Sequence, residues 1–268
     1  MTPQHQETWD EADVLGVRVS AVNLDRAVEL ACRSIQAHKR GYICLSGVHG
    51  VMEAQSDASF QSILNGALLN LPDGMPMTWV GRLQGCTQMG RVFGPDFMKA
   101  LCQASVQTGY RHFLYGGAPG VAEELKRSLE SLAPGLLVVG TYTPSFRDLT
   151  QDEEAELFCL LRESQPHIVW VGLSTPKQER FMAQYALRMQ ASLMVGVGAA
   201  FDYHTGRIQD SSDWVKRLGM QWLHRLLQDP RRLWRRYLRN NPAFLWKMSL
   251  QMLRQRSVAR PRPASTIL

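Results

Sequence analysis

The sequence predicts an α/β fold: a doubly wound, mostly parallel sheet, extended at its C-terminal end by a basic helical appendage. Three observations carry this reading. Short, continuously apolar runs alternate with helical patterns between residues 14 and 200, as expected for strands covered on both faces. The polar and glycine-rich segments fall at the C-terminal ends of those runs, where sheets of this kind bind ligands. Charge is divided: residues 214–262 hold thirteen Lys/Arg against Asp229 alone, about +12 within a chain of net charge +6, leaving about −6 for the rest.

In chain order, residues 1–13 are polar and acidic, with neither a signal peptide nor a basic presequence, and are expected to be flexible. Residues 14–20 read as a strand or hairpin arm, and Asn23 suits the cap of a helix over 24–38. A strand over 42–46 precedes helical stretches at 48–55 and 59–64. A strand over 68–71 then runs into the Pro72-Asp73-Gly74 turn, with helices at 77–83 and 97–108. Strands over 112–115, 136–142, 167–172 and 192–197 alternate with helices over 121–132, 153–163 and 178–189. Residues 14–212 thus form the expected catalytic domain, 213–254 the appendage and 255–268 a flexible tail. Because all six parallel strands precede it, a chain ending near Ser212 is expected to stay folded. The longest apolar run, near 191–201, is shorter than the roughly 18–20 residues that cross a bilayer. Five scattered cysteines without C-x-x-C spacing read as reduced thiols.

Within the appendage, residues 231–239 separate two faces at 100° per residue. Leu233, Trp234, Tyr237 and Leu238 share one arc, and Arg231, Arg232, Arg235, Arg236 and Arg239 lie opposite, between Pro230 and Asn241-Pro242. Such a pattern suits an interfacial helix whose aromatics enter the headgroup boundary and whose arginines meet lipid phosphates. A basic face over a core-facing stripe has the same pattern. A nucleic-acid helix would need arginines free to enter a groove and no tryptophan seam. The expected partner is an anionic membrane surface and no nucleic acid, with the protein cytoplasmic and peripheral on the inner face of the cell membrane. Formation of a homo-oligomer stays open.

Several strand-end residues are candidates for chemistry. Asp73, between a proline and a glycine, is aimed outward as a general base must be, although Pro-Asp-Gly also forms an Asx turn. The Gly116–Gly120 loop opens a helix and could hold a phosphate on its amides, or could be a plain tight turn. It is no P-loop, since no Gly-Lys-Ser/Thr follows, and Gly140-Thr141-Tyr142-Thr143 lacks the acidic residue of a dinucleotide site. Gly172 begins Gly172-Leu173-Ser174-Thr175-Pro176-Lys177-Gln178-Glu179, where Thr175 can cap a helix and place Lys177 and Gln178 at its start. Gly198 and Asp202 close the last strand; Asp202 is a second site carboxylate or a turn former. Arg91 binds phosphate or caps a helix. G-x-S-x-G is absent, as is D-x-D, so a diphosphate leaving group would be met by arginine side chains instead of a metal. No cofactor is expected.

Taken in order, these segments resemble the bacterial TagA/WecG/CpsF glycosyltransferase family. The likeness covers roughly residues 14–246. It is carried by Leu71-Pro72-Asp73-Gly74-Met75-Pro76, Arg91-Val92-Phe93-Gly94-Pro95-Asp96, Tyr115-Gly116-Gly117, Val171-Gly172-Leu173 with Pro176-Lys177-Gln178-Glu179-Arg180, and Gly196-Val197-Gly198-Ala199-Ala200-Phe201-Asp202, then Trp222-Leu223-His224-Arg225-Leu226 and Asp229-Pro230-Arg231-Arg232-Leu233-Trp234-Arg235-Arg236-Tyr237. The resemblance implies a Rossmann-like enzyme that transfers a sugar from a UDP-sugar to a polyprenyl-diphosphate-linked saccharide in cell-surface polysaccharide synthesis. It implies Asp73 as catalytic base and gives Gln178 a sugar-nucleotide contact, and the Ser46 hydroxyl is counted with them as catalytic. His49, Arg91, Gly116, Gly117, Gly172, Lys177, Gly198 and Asp202 are then substrate-binding positions. Arg217, Arg225 and Arg232 of the appendage fall to the diphosphate.

Three segments depart from the family's pattern. Ser46-Gly47-Val48-His49 keeps a hydroxyl but lacks the family's asparagine, so His49 substitutes for it or sugar specificity differs. Asp210-Ser211-Ser212-Asp213 replaces Arg-Ala-Pro, and Met220-Gln221-Trp222 replaces Leu-Glu-Trp. Two other classes fit parts of the sequence: a glycoside hydrolase using Asp73 and Asp202, and a non-catalytic membrane- or nucleic-acid-binding protein. The first leaves the basic tail unexplained and the second leaves the strand-end motifs idle. With arginine in place of D-x-D, sugar transfer is expected to survive EDTA; activity that falls and is restored by Mg²⁺ or Mn²⁺ would refute this.

Overall fold

The computed structural model describes residues 8–145, 147–189, 191–256 and 265–266. Its elements begin with β1 (Thr8–Trp9), β2 (Glu11–Val14), β3 (Val17–Ser20), α1 (Leu24–Gln36), β4 (Gly41–Ser46), α2 (Val48–Ala54), α3 (Ala58–Asn65), β5 (Leu69–Pro72) and α4 (Met75–Leu83). They continue through α5 (Gly94–Thr108), β6 (Arg111–Gly116), α6 (Val121–Leu132), β7 (Leu137–Tyr142), α7 (Gln151–Ser164), β8 (Ile168–Gly172), α8 (Lys177–Tyr185), β9 (Leu193–Gly196) and α9 (Ala200–His204). The chain closes with α10 (Asp213–Arg217), α11 (Gln221–Gln228), α12 (Pro230–Arg256) and β10 (Ser265–Thr266). All six apolar runs predicted as strands belong to one sheet of order β5-β4-β9-β8-β6-β7. The pairs β4–β9, β9–β8, β8–β6 and β6–β7 are parallel. The fold is therefore α/β and Rossmann-like, as the alternation of runs requires.

Contacts divide the chain into two compact units, one of residues 1–23, 46–92 and 211–268, the other of 24–45 and 93–210. This division cuts across the expected one, because the appendage falls in the first unit with Asp73. In the second unit, α1, α5, α6 and α9 share contacts with one another, and α7 meets α8 through Phe158 and Tyr185. Trp170 is fully buried, edge-on to Phe97 of α5 and stacked on His112 of β6. Its indole Nε1 donates to His112 Nδ1 at 2.9 Å. Burial pushes the imidazole pKa down to about 3, so His112 is a neutral core residue. Helix ends follow their sequence signals. Pro95 sits in the first turn of α5 and Gly109 ends it at φ +67, while Thr150 and Glu153 close a capping box on α7.

In the first unit, β2 and β3 form a tight hairpin through Leu15 (φ +56) and Gly16 (φ +81), a turn that the right-handed strand twist favours. Ordered structure thus starts inside the segment expected to be flexible, and Thr8–Trp9 pairs with Ser265–Thr266. Residues 1–7, 257–264 and 267–268 lie outside the described ones. Side-chain amides stand in for a neighbouring strand along the hairpin. Asp13 N–H donates to Gln84 Oε1 at 2.9 Å, Leu15 N–H donates to Gln251 Oε1 at 2.8 Å, and Gln84 and Gln251 both donate to the Asp13 carbonyl.

Gln251 reaches the hairpin because α12 does not stop at Asn241-Pro242. It runs through Pro242, which lacks the N–H for one ladder bond, as far as Arg256. Its predicted apolar arc is divided: Leu233 is 1% exposed, whereas Trp234 is 45% exposed and Leu238 also faces out. Leu233, Phe244 and Met248 belong to the core, so cutting at Ser212 removes core side chains and the expectation of a stable truncated chain is overturned. Phe244→Ala is expected to lower the unfolding free energy by about 3–5 kcal/mol. Leu245→Ala, on the exposed side, should cost under about 0.5 kcal/mol. Equal, small losses in urea denaturation would place α12 outside the core.

Candidate active site

Four backbone features hold the Asp73 loop in the first unit. The Pro72 carbonyl accepts from Val92 N–H at 2.8 Å, and Asp73 N–H donates to the Ser46 carbonyl at 2.9 Å. Gly74 takes φ +110, open to glycine but costly for other residues, before α4 begins at Met75 with Pro76 in its first turn. Gly47 lies so close that a Cβ there would sit 2.8 Å from the Asp73 carbonyl oxygen. The outcome is a half-buried carboxylate on a rigid strand-end turn. Ser46 is buried, and its carbonyl, not its hydroxyl, supports Asp73.

His49 is the second residue of α2, beside this loop. Its Nδ1 lies 3.1 Å from Asn240 Nδ2 and 3.6 Å from Glu53 Oε1. The asparagine missing after β4 thus has a counterpart on α12, which supplies an amide to the histidine standing there. Arg91 donates to the side-chain oxygen of Gln221, at the position of the lost acidic residue. Of the three appendage arginines predicted for a diphosphate, Arg217 on α10 is exposed and Arg225 on α11 is half-buried. Arg232 on α12 pairs with Asp229 at 3.1 Å.

In the second unit, one amide of the expected cradle at Gly116-Gly117 is already engaged by backbone. Gly117 N–H donates to the Gly172 carbonyl at 3.2 Å, and Gly116 is held in the β6–β8 ladder against Gly172. Glu123 and Glu124 occupy the first turn of α6, complementing its dipole and disfavouring an anion. These glycines serve packing. A Cβ at Gly116 would meet the Gly172 carbonyl oxygen at 2.6 Å, and one at Gly172 would meet the Phe201 ring at 3.1 Å.

The start of α8 is organised by buried polar groups. Thr175 does not cap the helix; its hydroxyl donates to Glu179 Oε1 at 2.9 Å, after a cis Thr175–Pro176 peptide. Gln178, 3% exposed, donates to the same oxygen at 2.9 Å and accepts from Gly198 N–H at 2.9 Å. Both ends of its amide are used, so it fixes the Gly198 turn. Glu179 is 1% exposed, and desolvation raises its carboxyl pKa against the hydrogen bonds that lower it. Lys177 is exposed, and Asp202 is half-buried in the first turn of α9. Asn240, Gln221 and Glu179 are partners that sequence reasoning passed over. Their signal was a polar residue on an otherwise apolar face, which spacing does not match to a partner far along the chain.

An α/β sheet with its polar loops at the strand ends is an architecture shared by many enzymes, and the family match gives this one its class, glycosyltransferase. Residues 12–258 match the family described as Glycosyl transferase WecG/TagA/CpsF, and the chain belongs to that family. It is 28% identical over 204 residues, 76% of this chain and 77% of the other, to the N-acetylglucosaminyldiphosphoundecaprenol N-acetyl-beta-D-mannosaminyltransferase of Bacillus spizizenii. It is 27% identical over 185 residues, 69% and 70% of the two chains, to the protein of the same name from Bacillus subtilis.

Because Gly47 has no room for a Cβ, Gly47→Ala must shift the Asp73 loop. About 10²-fold slower sugar transfer is expected from misplacement on the order of 1 Å. A kcat equal to wild type in a folded variant would mean that the loop position is not critical.

Proposed function

We propose that the protein is an inverting, metal-independent glycosyltransferase acting at the cytoplasmic face of a membrane. Its donor is a UDP-sugar, and its acceptor is a hydroxyl of a polyprenyl-diphosphate-linked saccharide. The observation that carries this reading is the pinned Asp73 loop, a half-buried carboxylate at the C-terminal end of a strand. The names of the two Bacillus relatives favour N-acetylmannosamine as the sugar and N-acetylglucosaminyl-diphosphoundecaprenol as the acceptor.

The reaction follows from the groups present. Asp73 takes the proton from the acceptor hydroxyl as its oxygen attacks the anomeric carbon. The bond from that carbon to the UDP oxygen breaks on the opposite face, which inverts the configuration. The leaving diphosphate keeps the electron pair, and appendage arginines balance the growing charge, as the absence of D-x-D suggests. Gln178 and Glu179 act by fixing the Gly198 turn, and His49 by its link to α12.

Membrane association is supported by the exposed surface of the appendage. Trp214, Trp222, Trp234 and Trp246 are all exposed, with Leu218, Leu227, Leu238 and Leu253, among exposed arginines. Aromatics and cations mixed in this way suit the headgroup region of an anionic bilayer. No helix among the described residues is long and apolar enough to cross it.

Asp73→Asn is expected to fold normally and to lower turnover by about 10²–10⁴-fold, the usual share of general base catalysis. The assay pairs UDP-N-acetylmannosamine with a short-chain prenyl-diphosphate N-acetylglucosamine. Near-native turnover would remove Asp73 from the mechanism, and absence of transfer by the wild-type chain across a panel of UDP-sugars would remove the reaction.

A further inference from the structure

Helix α4 leaves the Asp73 loop directly and has two unlike faces. Met77, Thr78, Val80 and Gly81 are buried, and a Cβ at Gly81 would run into Met89. The other face carries Met75, Trp79 and Leu83, each four residues from the next, so that they line up as one strip. Met75 is half-buried, Trp79 is 45% exposed and Leu83 71%. Single apolar side chains on a surface are ordinary, whereas a contiguous apolar strip marks an interaction surface. No acidic residue lies on α4, and its one cation, Arg82, donates from Nε to the Met89 carbonyl at 3.0 Å.

The turn between α10 and α11 walls one side of this strip. There Gly219 takes φ +69, and a Cβ on it would sit 2.7 Å from Trp79 Cη2 and 3.1 Å from Met75 Cβ. The indole is therefore held along one edge and open along the rest. A ring fixed in this way gives up little side-chain freedom when a ligand covers it.

What covers the strip must be apolar and must start near Asp73. The two Bacillus relatives are named for an acceptor built of N-acetylglucosamine, diphosphate and undecaprenol. In such a molecule the apolar chain is joined covalently to the reacting sugar, so a hydroxyl held at Asp73 brings the chain to the neighbouring surface. At 1.5 Å per residue the strip leads about 12 Å along α4, from Met75 beside the loop to Leu83. The saccharide and diphosphate fill the space next to the carboxylate, and the chain beyond them meets Trp79 and Leu83.

We propose that Trp79 and Leu83 bind the first prenyl units of the lipid-linked acceptor, which makes this face of α4 a chain subsite outside the basic appendage. That the chain is the acceptor's rests on the transferase reading above; the preference for an apolar chain rests on the strip.

The test uses the full chain with Trp79→Ser, Leu83→Ser and, as a control, Trp246→Ser at an exposed position of α12. Calorimetric titration without vesicles compares farnesyl diphosphate with isopentenyl diphosphate, which share the diphosphate and differ in chain length. The wild-type chain is expected to bind farnesyl diphosphate about 10-fold tighter or more, because the longer chain buries more apolar surface. Trp79→Ser should remove most of this preference and Leu83→Ser part of it, with isopentenyl diphosphate affinity and circular dichroism unchanged. Trp246→Ser should keep it. In sugar transfer, Trp79→Ser should raise KM for a farnesyl-linked acceptor about 10-fold and leave kcat and the KM of the donor as in wild type. Equal affinity of the wild-type chain for the two diphosphates overturns the proposal, as does a preference that survives both substitutions on α4. If it survives while binding to phosphatidylglycerol vesicles is lost, the strip belongs to the bilayer; if self-association in ultracentrifugation is lost instead, it belongs to a second copy. Loss of the preference in Trp246→Ser as well makes the effect unspecific and overturns the proposal too. A wild-type chain that transfers no sugar, yet loses its chain preference on Trp79→Ser, sinks the transferase reading and upholds the chain subsite.

Discussion

The backbone hydrogen bond from Asp73 to the Ser46 carbonyl ties together the strand-end loops after β4 and β5, and most of the first unit is arranged around it. A bond of 2.9 Å requires the two chains to touch, and only a residue without a side chain at position 47 permits that approach. Directly after Gly47 the chain enters α2, whose second residue is His49. That histidine meets Asn240, so the position of the proposed base is linked within two residues to the long C-terminal helix. The helix in turn holds the N-terminal hairpin through Gln251. A chain of contacts thus joins the buried side of α12 to the Asp73 loop, although α12 follows it by more than 150 residues in sequence.

The second unit has a parallel logic built from side chains. The chain Thr175–Glu179–Gln178–Gly198 connects the loop after β8 to the turn after β9. Burial raises the Glu179 carboxyl pKa, so the folded protein holds that proton to higher pH than the unfolded chain does. The stability this contributes is present below the ordinary carboxylate range and is lost as pH rises through the folded value.

The sheet was legible because a strand covered on both faces must be apolar throughout, and six such runs stand out between polar loops. The strand-end position of Asp73 was legible because Pro-Asp-Gly follows such a run directly. The glycines were not. A glycine announces that a side chain is excluded without saying whether a ligand or another part of the chain excludes it; at Gly116 it is the Gly172 backbone, at Gly117 the Val121 side chain and at Gly172 the Phe201 ring. The helix across Pro242 was hidden for a related reason. Proline normally ends a helix, and only the burial of Phe244, Met248 and Asn240 on one side shows why this one continues. A helical wheel sorts residues by type, so it grouped Leu233 with Trp234 and Arg236 with Arg232, pairs whose burial differs.

Because the first unit is drawn from three separated stretches of chain, translation order imposes a schedule on it. Everything that makes up the second unit has been synthesised by residue 210, whereas Asn240, Phe244, Met248 and Gln251 of the first unit are made later. Until they do, the nascent hairpin lacks Gln251 and His49 lacks Asn240. Domains generally fold as units while the chain emerges. The loop bearing Asp73 consequently waits longest for its supports, and a product released early carries the carboxylate without the scaffold that aims it. Such a fragment exposes an unfilled apolar surface, the usual mark by which quality-control proteases find their targets.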